Sequence, residues 1–262
     1  MKPCPSPYLE VVSHTHTNTS LINQNANITH KQEETVVNAS VIVPVKRLEM
    51  AKSRLSPLLS INERKQFCLE MLKDVLAAVK TAKCVHRTIV MSMDETALQV
   101  AKSFDAIPFM ENKLGLNQAI LEVINWCIER AVSSILILPA DIPLVTSLDL
   151  NRILSLGKNS GIIISPSKSG EGTNALLLTP PNVIPTFYGK HSFRKHIEEA
   201  SIRGTDIHVF RSSRVALDID TIDDLIAFLT LEVEETAAYN FLMKVQVHKR
   251  LKFTPKNFFK FR

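Results

Sequence analysis

The 262-residue chain predicts an α/β domain: a mostly parallel sheet with helices on both faces. Three observations lead there. From Val41 to Leu231, short β-branched runs alternate with amphipathic stretches of helical period. The most hydrophobic run, Ser134 to Leu138, reads as a buried strand. Hydrophobic content of 45%, with 22% charged residues, supplies enough apolar mass for one sizeable core and excludes wholesale disorder.

The elements follow in order. Val41 to Val45 is the first strand. After a polar loop, Ser60 and Glu63 form an S-x-x-E capping box, and Phe67, Met71, Leu72, Val75, Leu76 and Val79 keep helical spacing behind it. Thr88 to Met91 is a strand, Asp94 to Ser103 a helix and Ala106 to Met110 a strand. Asn117 to Ala131 is a helix, with Trp126 expected in the core. Ser134 to Leu138 is a strand, and Ser147 is expected to cap a helix running to Leu156. Gly161 to Ser165 and Asn174 to Leu178 are strands and Ser192 to Ser201 a helix. Ile207 to Phe210 and Val215 to Ile219 are read as strands, and Thr221 caps a helix through Leu231.

In such sheets ligands bind beyond the carboxyl ends of the strands, so polar residues in the loops there are the candidates. The first loop, Pro44 to Pro57, carries Lys46, Arg47, Lys52 and Arg54, a cation cluster suited to a polyphosphate. It has neither Gly-x-Gly-x-x-Gly nor a Walker lysine motif, which disfavours a dinucleotide fold and excludes a P-loop. In Leu138-Pro-Ala-Asp-Ile-Pro143, rigid prolines flank Asp141 and fix a carboxylate for a metal; the competing role of helix cap is better filled by Ser147. Asp218 and Asp220 lie two apart and so on one side of an extended segment. One can serve a metal while the other caps the helix at Thr221, whose Asp223 and Asp224 suit its positive end. The glycines and hydroxyls of Ser165 to Asn174 allow backbone N–H groups to converge on an anion. Gly189 and Ser192 open a helix, either as a phosphate seat or with Ser192 as a plain cap.

Charge is unevenly placed. Residues 1–40 carry two basic and three acidic groups, residues 41–243 carry 22 and 23, and residues 244–262 carry seven and none, which recovers the net +5. A nearly neutral core argues against a nucleic-acid partner. The basic end, where lysines and arginines interleave with Phe253, Phe258, Phe259 and Phe261, is read as a solvated or crystal-ordered extension. Nineteen of the first forty residues are Asn, Thr, Ser, Gln or His, so residues 1–40 are expected to be a disordered polar leader. Nothing around its His14, His16 and His30 would hold a metal geometry. No hydrophobic run exceeds five residues, against about 20 for a bilayer span, and no signal sequence is evident, so an intracellular, cytoplasmic protein is expected. Cys4, Cys68, Cys84 and Cys127 are scattered, and neither disulfides nor a zinc site is expected.

Seven segments together resemble one family: Val43-Pro-Val-Lys46, Ala51-Lys-Ser-Arg-Leu55, Gly115-Leu-Asn-Gln-Ala119, Leu138 to Pro143, Gly170-Glu-Gly-Thr-Asn-Ala-Leu176, Gly189 to Phe193 and Leu217-Asp-Ile-Asp-Thr221. Over about residues 41–230 the chain is similar to the 2-phospho-L-lactate guanylyltransferases of coenzyme F-420 biosynthesis. These look like the wider nucleotidyltransferase group that includes the molybdopterin guanylyltransferases, although the first loop lacks that group's glycine-rich consensus. The resemblance implies a Rossmann-like, nucleotide-diphospho-sugar transferase-like fold over residues 41–235, followed by a basic C-terminal extension, 236–262. It implies a guanylyltransferase joining GMP from GTP to a small phosphorylated acid, 2-phospholactate, phosphoenolpyruvate or 3-phosphoglycerate, with pyrophosphate released.

By that resemblance Asp141, Asp218 and Asp220 would hold Mg2+, with Asp218 the preferred second ligand. Asp141, Asp218 and Lys46 would form the catalytic set. Lys46, Arg47, Lys52 and Arg54 would meet the phosphates of GTP, Gly115 and Asn117 its base and ribose, and Thr173, Gly189 and Ser192 the acceptor. Sugar-phosphate or pterin acceptors, or a non-catalytic nucleotide-binding scaffold, are the alternatives. A labile product suggests hand-off to the next enzyme of the pathway; oligomeric state, a homodimer included, stays open.

Overall fold

The computed structural model describes residues 39–112, 115–157, 161–231 and 236–251. The expected leader, apart from Ala39 and Ser40, lies outside the described residues. So do Cys4, the histidines at 14, 16 and 30, and the basic end from residue 252 onward.

Seven strands form one sheet: β1 (Ala39–Val45), β2 (Val85–Ser92), β3 (Ile107–Met110), β4 (Ser134–Ile137), β5 (Gly161–Pro166), β6 (Thr173–Thr179) and β7 (Ile207–Val209). Their order is β3-β2-β1-β4-β6-β5-β7. All run in one direction except β6, which is antiparallel to both neighbours. The sheet is therefore mixed but mostly parallel. The reversal of β6 has a consequence for position: its first residues, Thr173 and Asn174, start at the rim where the other strands end.

Side chains along a strand alternate between faces, and the core divides accordingly. On one face Val41, Val43, Val90, Leu136, Ile163 and Leu177 pack under α1 (Ile61–Lys80), α2 (Glu95–Ser103) and α4 (Ser147–Leu156). On the other, Ile42, Ile89, Ile135, Ile137, Ile162 and Leu176 pack under α3 (Leu116–Ile128) and α5 (Ser192–Ile202). Burial on both sides explains why these strands read as continuous apolar runs. The Ser60–Glu63 capping box forms at the start of α1.

Four expectations are corrected. The cap of α4 is Thr146, not Ser147: its hydroxyl accepts from the Asp149 N–H while the Asp149 carboxylate reaches back to the Thr146 N–H. Val215 to Ile219 is not a strand. Ser212 caps a single helical turn, α6 (Ser213–Ala216), and Leu217 and Ile219 are buried alternately on an extended segment outside the sheet. Alternation there reports burial, not ladder pairing. Trp126 is only partly buried, and its indole lies 4.1 Å beneath the Arg130 guanidinium. The described part of the basic end is packed rather than solvated. Beyond α7 (Ile222–Thr230) come α8 (Ala237–Lys244) and α9 (Val247–Arg250). Phe241 stacks on Phe67 of α1, Asp74 accepts from the Ala237 and Ala238 N–H groups at 2.7 and 2.9 Å, and Arg250 pairs with Glu63 at 2.7 Å.

Asp149 connects two parts of the chain. Only 1% exposed, it accepts from Ser212 and, in a fork, from the half-exposed Arg214, tying α4 to the segment that leads to Asp218. Burial alone would raise its pKa; Arg214, Thr146 and Ser212 outweigh that and hold it below the ordinary carboxylate value. Replacing Asp149 by Ala removes the second half of the capping box and the acceptor that Ser212 and Arg214 share. The expected loss is about 2 to 3 kcal/mol in urea unfolding; a loss under about 0.5 kcal/mol would show the pair to be incidental.

Candidate active site

The loop after β1 makes two short 3-10 turns, Leu48–Met50 and Ser53–Leu55, anchored by the buried Leu48 and Leu55. Between them Lys52 takes a left-handed conformation, φ 54°, which costs a non-glycine residue about 1 kcal/mol and persists only where its surroundings hold it. The strained backbone directs the Lys52 side chain inward, where it is 6% exposed. Its ammonium donates to Asp141 at 2.7 Å and to Asp220 at 2.5 Å. Burial disfavours the charge on Lys52, but the two carboxylates outweigh it and hold the lysine above its ordinary value.

Three loops meet here. Asp141 follows β4, Asp220 precedes α7, and the Ile219 N–H donates to the Asp141 carbonyl at 3.0 Å, joining the two segments through the backbone. Asp218 has a different partner: its carboxylate accepts at 3.0 Å from the amide of Asn174, which also donates to the Val215 and Ala216 carbonyls. Burial pushes Asp218 above the ordinary carboxylate value, and the neighbouring charges of Asp141 and Asp220 add to that. Burial acts on Asp220 in the same sense, yet Lys52, with Lys46 and Arg54 behind it, brings it below the ordinary value. Lys46, Arg47 and Arg54 are exposed and make no ion pair among the described residues.

The other candidates lie across the same rim. Ser192 donates to the Thr173 hydroxyl at 3.2 Å, and both side chains are nearly buried. His191, not Ser192, is the residue preceding α5, so the hydroxyl of Ser192 is not a cap. Gly115 and Gly189 have φ of 98° and 124°, where a side chain would strain the backbone although a Cβ would meet nothing within 4 Å. Asn117 clamps the Tyr188 backbone: it donates to the carbonyl at 2.9 Å and accepts from the N–H at 2.7 Å. That pair occupies the amide oxygen and one amide hydrogen, leaving one hydrogen for a ligand.

Asn174 and His196 were not singled out from the sequence. The signal available was a polar side chain inside an apolar pattern, Asn174 in β6 and His196 on the inner face of α5; buried polar groups need partners. Among the described residues no three His, Cys, Asp or Glu side chains form a ready metal cage, because Asp141 and Asp220 share Lys52 while Asp218 holds Asn174.

Asp220, lowered in the folded state, contributes stability above its unfolded value near 3.9 that is lost as pH falls through the folded one. Asp218, raised, acts with the opposite sign. Lys52→Met removes the main attraction on Asp220. The urea midpoint of the variant should therefore fall less steeply than that of the parent between about pH 5 and 2; an equally steep acid limb would show that Lys52 does not hold the carboxylate.

Comparison with known proteins gives a consistent result. The chain is 37% identical over 185 residues to a phosphoenolpyruvate guanylyltransferase of Rubrobacter xylanophilus, covering 70% of this chain and 90% of that one. It is 38% identical over 190 residues to a 2-phospho-L-lactate guanylyltransferase of Methanocaldococcus jannaschii, covering 72% and 81%. It is 32% identical over 208 residues to a 3-phospho-D-glycerate guanylyltransferase of Colwellia psychrerythraea, covering 79% and 99%. The fold is similar to a solved structure from Desulfovibrio desulfuricans described as a nucleotide-diphospho-sugar transferase, with a TM-score of 0.68 at 13% identity over 82% of this chain and 98% of that one. A cytidylyltransferase from Leptospira borgpetersenii follows at 0.52 and 15% identity, over 82% and 95%. The model of guanylyl transferases of the CofC-like type matches residues 39–262, and the chain belongs to that family.

Proposed function

We propose that the protein joins the GMP moiety of GTP to the phosphate of a small phosphorylated carboxylic acid, with release of pyrophosphate. The observation that carries this is the meeting of Lys52, Asp141 and Asp220 at the strand-end rim, with the exposed Lys46 and Arg54 near Asp220. Relatives named for phosphoenolpyruvate, 2-phospho-L-lactate and 3-phospho-D-glycerate support the substrate class, since all three are phosphorylated carboxylates. The reading places the protein in coenzyme F-420 biosynthesis and, with its substrates, in the cytoplasm. No described helix is long and apolar enough to cross a membrane.

The residues fit Mg2+. Carboxylate oxygens are its preferred protein ligands, and it is usually held by one or two carboxylates together with substrate phosphates, so a complete protein cage is not required. The Lys52 ammonium between Asp141 and Asp220 supports the view that positive charge belongs there. Asp141 and either Asp218 or Asp220 would hold the ion; when bound, it supplies neutralisation of phosphate charge.

In the reaction an oxygen of the acceptor's phosphate forms a bond to the α-phosphorus of GTP, and the bond from that phosphorus to the bridging oxygen of the pyrophosphate breaks. A phosphate monoester, with a second pKa near 6, is already a dianionic nucleophile at neutral pH, so no protein base need remove a proton. The protein's share is alignment and charge compensation. Lys46, Arg47 and Arg54, with Lys52, neutralise the β- and γ-phosphates as charge gathers on the leaving pyrophosphate. Gly115, by its close backbone approach, and Asn117 border the nucleoside. Thr173, Gly189 and Ser192 receive the acid.

Incubation with GTP, Mg2+ and each of the three acids should release pyrophosphate with at least one of them, and a folded protein that releases none would refute the reading. Asp141→Asn should lose more than ~10²-fold in rate while its circular dichroism is unchanged; near-parental turnover would remove Asp141 from the reaction.

A further inference from the structure

We infer that His196 is the positioning residue of the acceptor seat: as a neutral imidazole protonated on Nδ1, it makes Thr173 an obligate hydrogen-bond donor, which selects an anionic oxygen at that point. The inference rests on the reading of Thr173 and Ser192 as the acceptor's seat.

The direction of each bond follows from the one before it. The backbone N–H of Phe187 donates to His196 Nε2 at 2.9 Å, and a backbone N–H has no other role, so Nε2 carries a lone pair. The ring is fully buried, and burial pushes its pKa down to about 4, so it holds a single proton at neutral pH. That proton is on Nδ1. Nδ1 lies 3.2 Å from Thr173 Oγ1. Thr173 Oγ1 therefore accepts from His196 and also from Ser192 Oγ. A hydroxyl oxygen has two lone pairs, and both are used. What remains is its hydrogen, which has no acceptor among the described residues and is left to donate to a bound molecule.

The ring is held in this orientation. Phe187 and Tyr188 wall it at centroid distances of 5.9 and 5.5 Å, the latter edge-on, and Asn117 grips the Tyr188 backbone from α3. The seat thus offers a hydroxyl hydrogen in a nearly dry setting. A carboxylate or phosphate oxygen accepts such a bond strongly, whereas an ammonium would set donor against donor. His196 itself stays behind Thr173 and touches no substrate.

Two measurements test this. Long-range 1H–15N NMR of the imidazoles in the full-length, ligand-free protein should show one ring with protonated Nδ1 and bare Nε2, and His196→Asn should remove that signal. A protonated Nε2 or a doubly protonated ring at neutral pH would overturn the inference. In kinetics, His196→Leu should raise KM for the acceptor acid by about tenfold or more while leaving KM for GTP unchanged. His196→Asn, whose amide nitrogen can occupy the place of Nδ1, should recover most of the loss. Equal damage from Leu and Asn, or a matching rise in KM for GTP, would reduce His196 to a packing residue. Because the NMR arm needs no substrate, failure of the parent enzyme to release pyrophosphate would strike the functional reading separately from the tautomer assignment.

Discussion

An ammonium placed between two carboxylates is the interaction on which the site depends. Its three members are far apart in sequence: Lys52 is separated by 89 residues from Asp141 and by 168 from Asp220. A buried lysine with one partner would be a liability, and with none it would discard its proton. With two partners it keeps its charge and fixes three loops against one another. The arrangement is possible only because β4 lies directly beside β1, so the chain leaves both strands at the same rim, and because Ile219 ties its backbone to that of Asp141.

Around this centre the remaining polar contacts serve placement. Asn174 holds Asp218 and two carbonyls of α6, and the reversal of β6 brings Asn174 and Thr173 to the same rim. Asp149 anchors the preceding turn through Ser212 and Arg214. Asn117 ties the start of α3 to the loop before α5. Regions assigned to nucleotide and acceptor are thereby joined by two short hydrogen bonds, which gives their relative spacing a structural basis.

How much of this was legible beforehand follows from the range of each interaction. The Ser60–Glu63 capping box and the Thr221 cap are local and could be read directly, whereas Asp224, read only as a partner for the helix's positive end, completes a second box. The cap of α4 slipped by one residue because Thr146 and Ser147 are both competent, and the deciding partner, Asp149, lies three beyond the threonine. Asp141 and the Asp218–Asp220 pair were visible as two carboxylate loops, with Asp218 the preferred member, but that Asp220 is the one that shares Lys52 with Asp141 was not, since no local pattern marks a left-handed lysine. His196 was hidden for a similar reason: its partners Thr173 and Phe187 come from other elements. At the basic end the run of cations masked the buried Val247, and just before it Ala238 and Leu242 are buried and Phe241 stacks on Phe67.

The most direct test is crystallographic. Crystals grown with a non-hydrolysable GTP analogue and Mn2+, examined by anomalous scattering at the manganese edge, should show an ion ligated by Asp141 and by Asp218 or Asp220, with the nucleotide phosphates beside it. An ion and triphosphate bound away from Asp141, Asp218 and Asp220 would contradict the account.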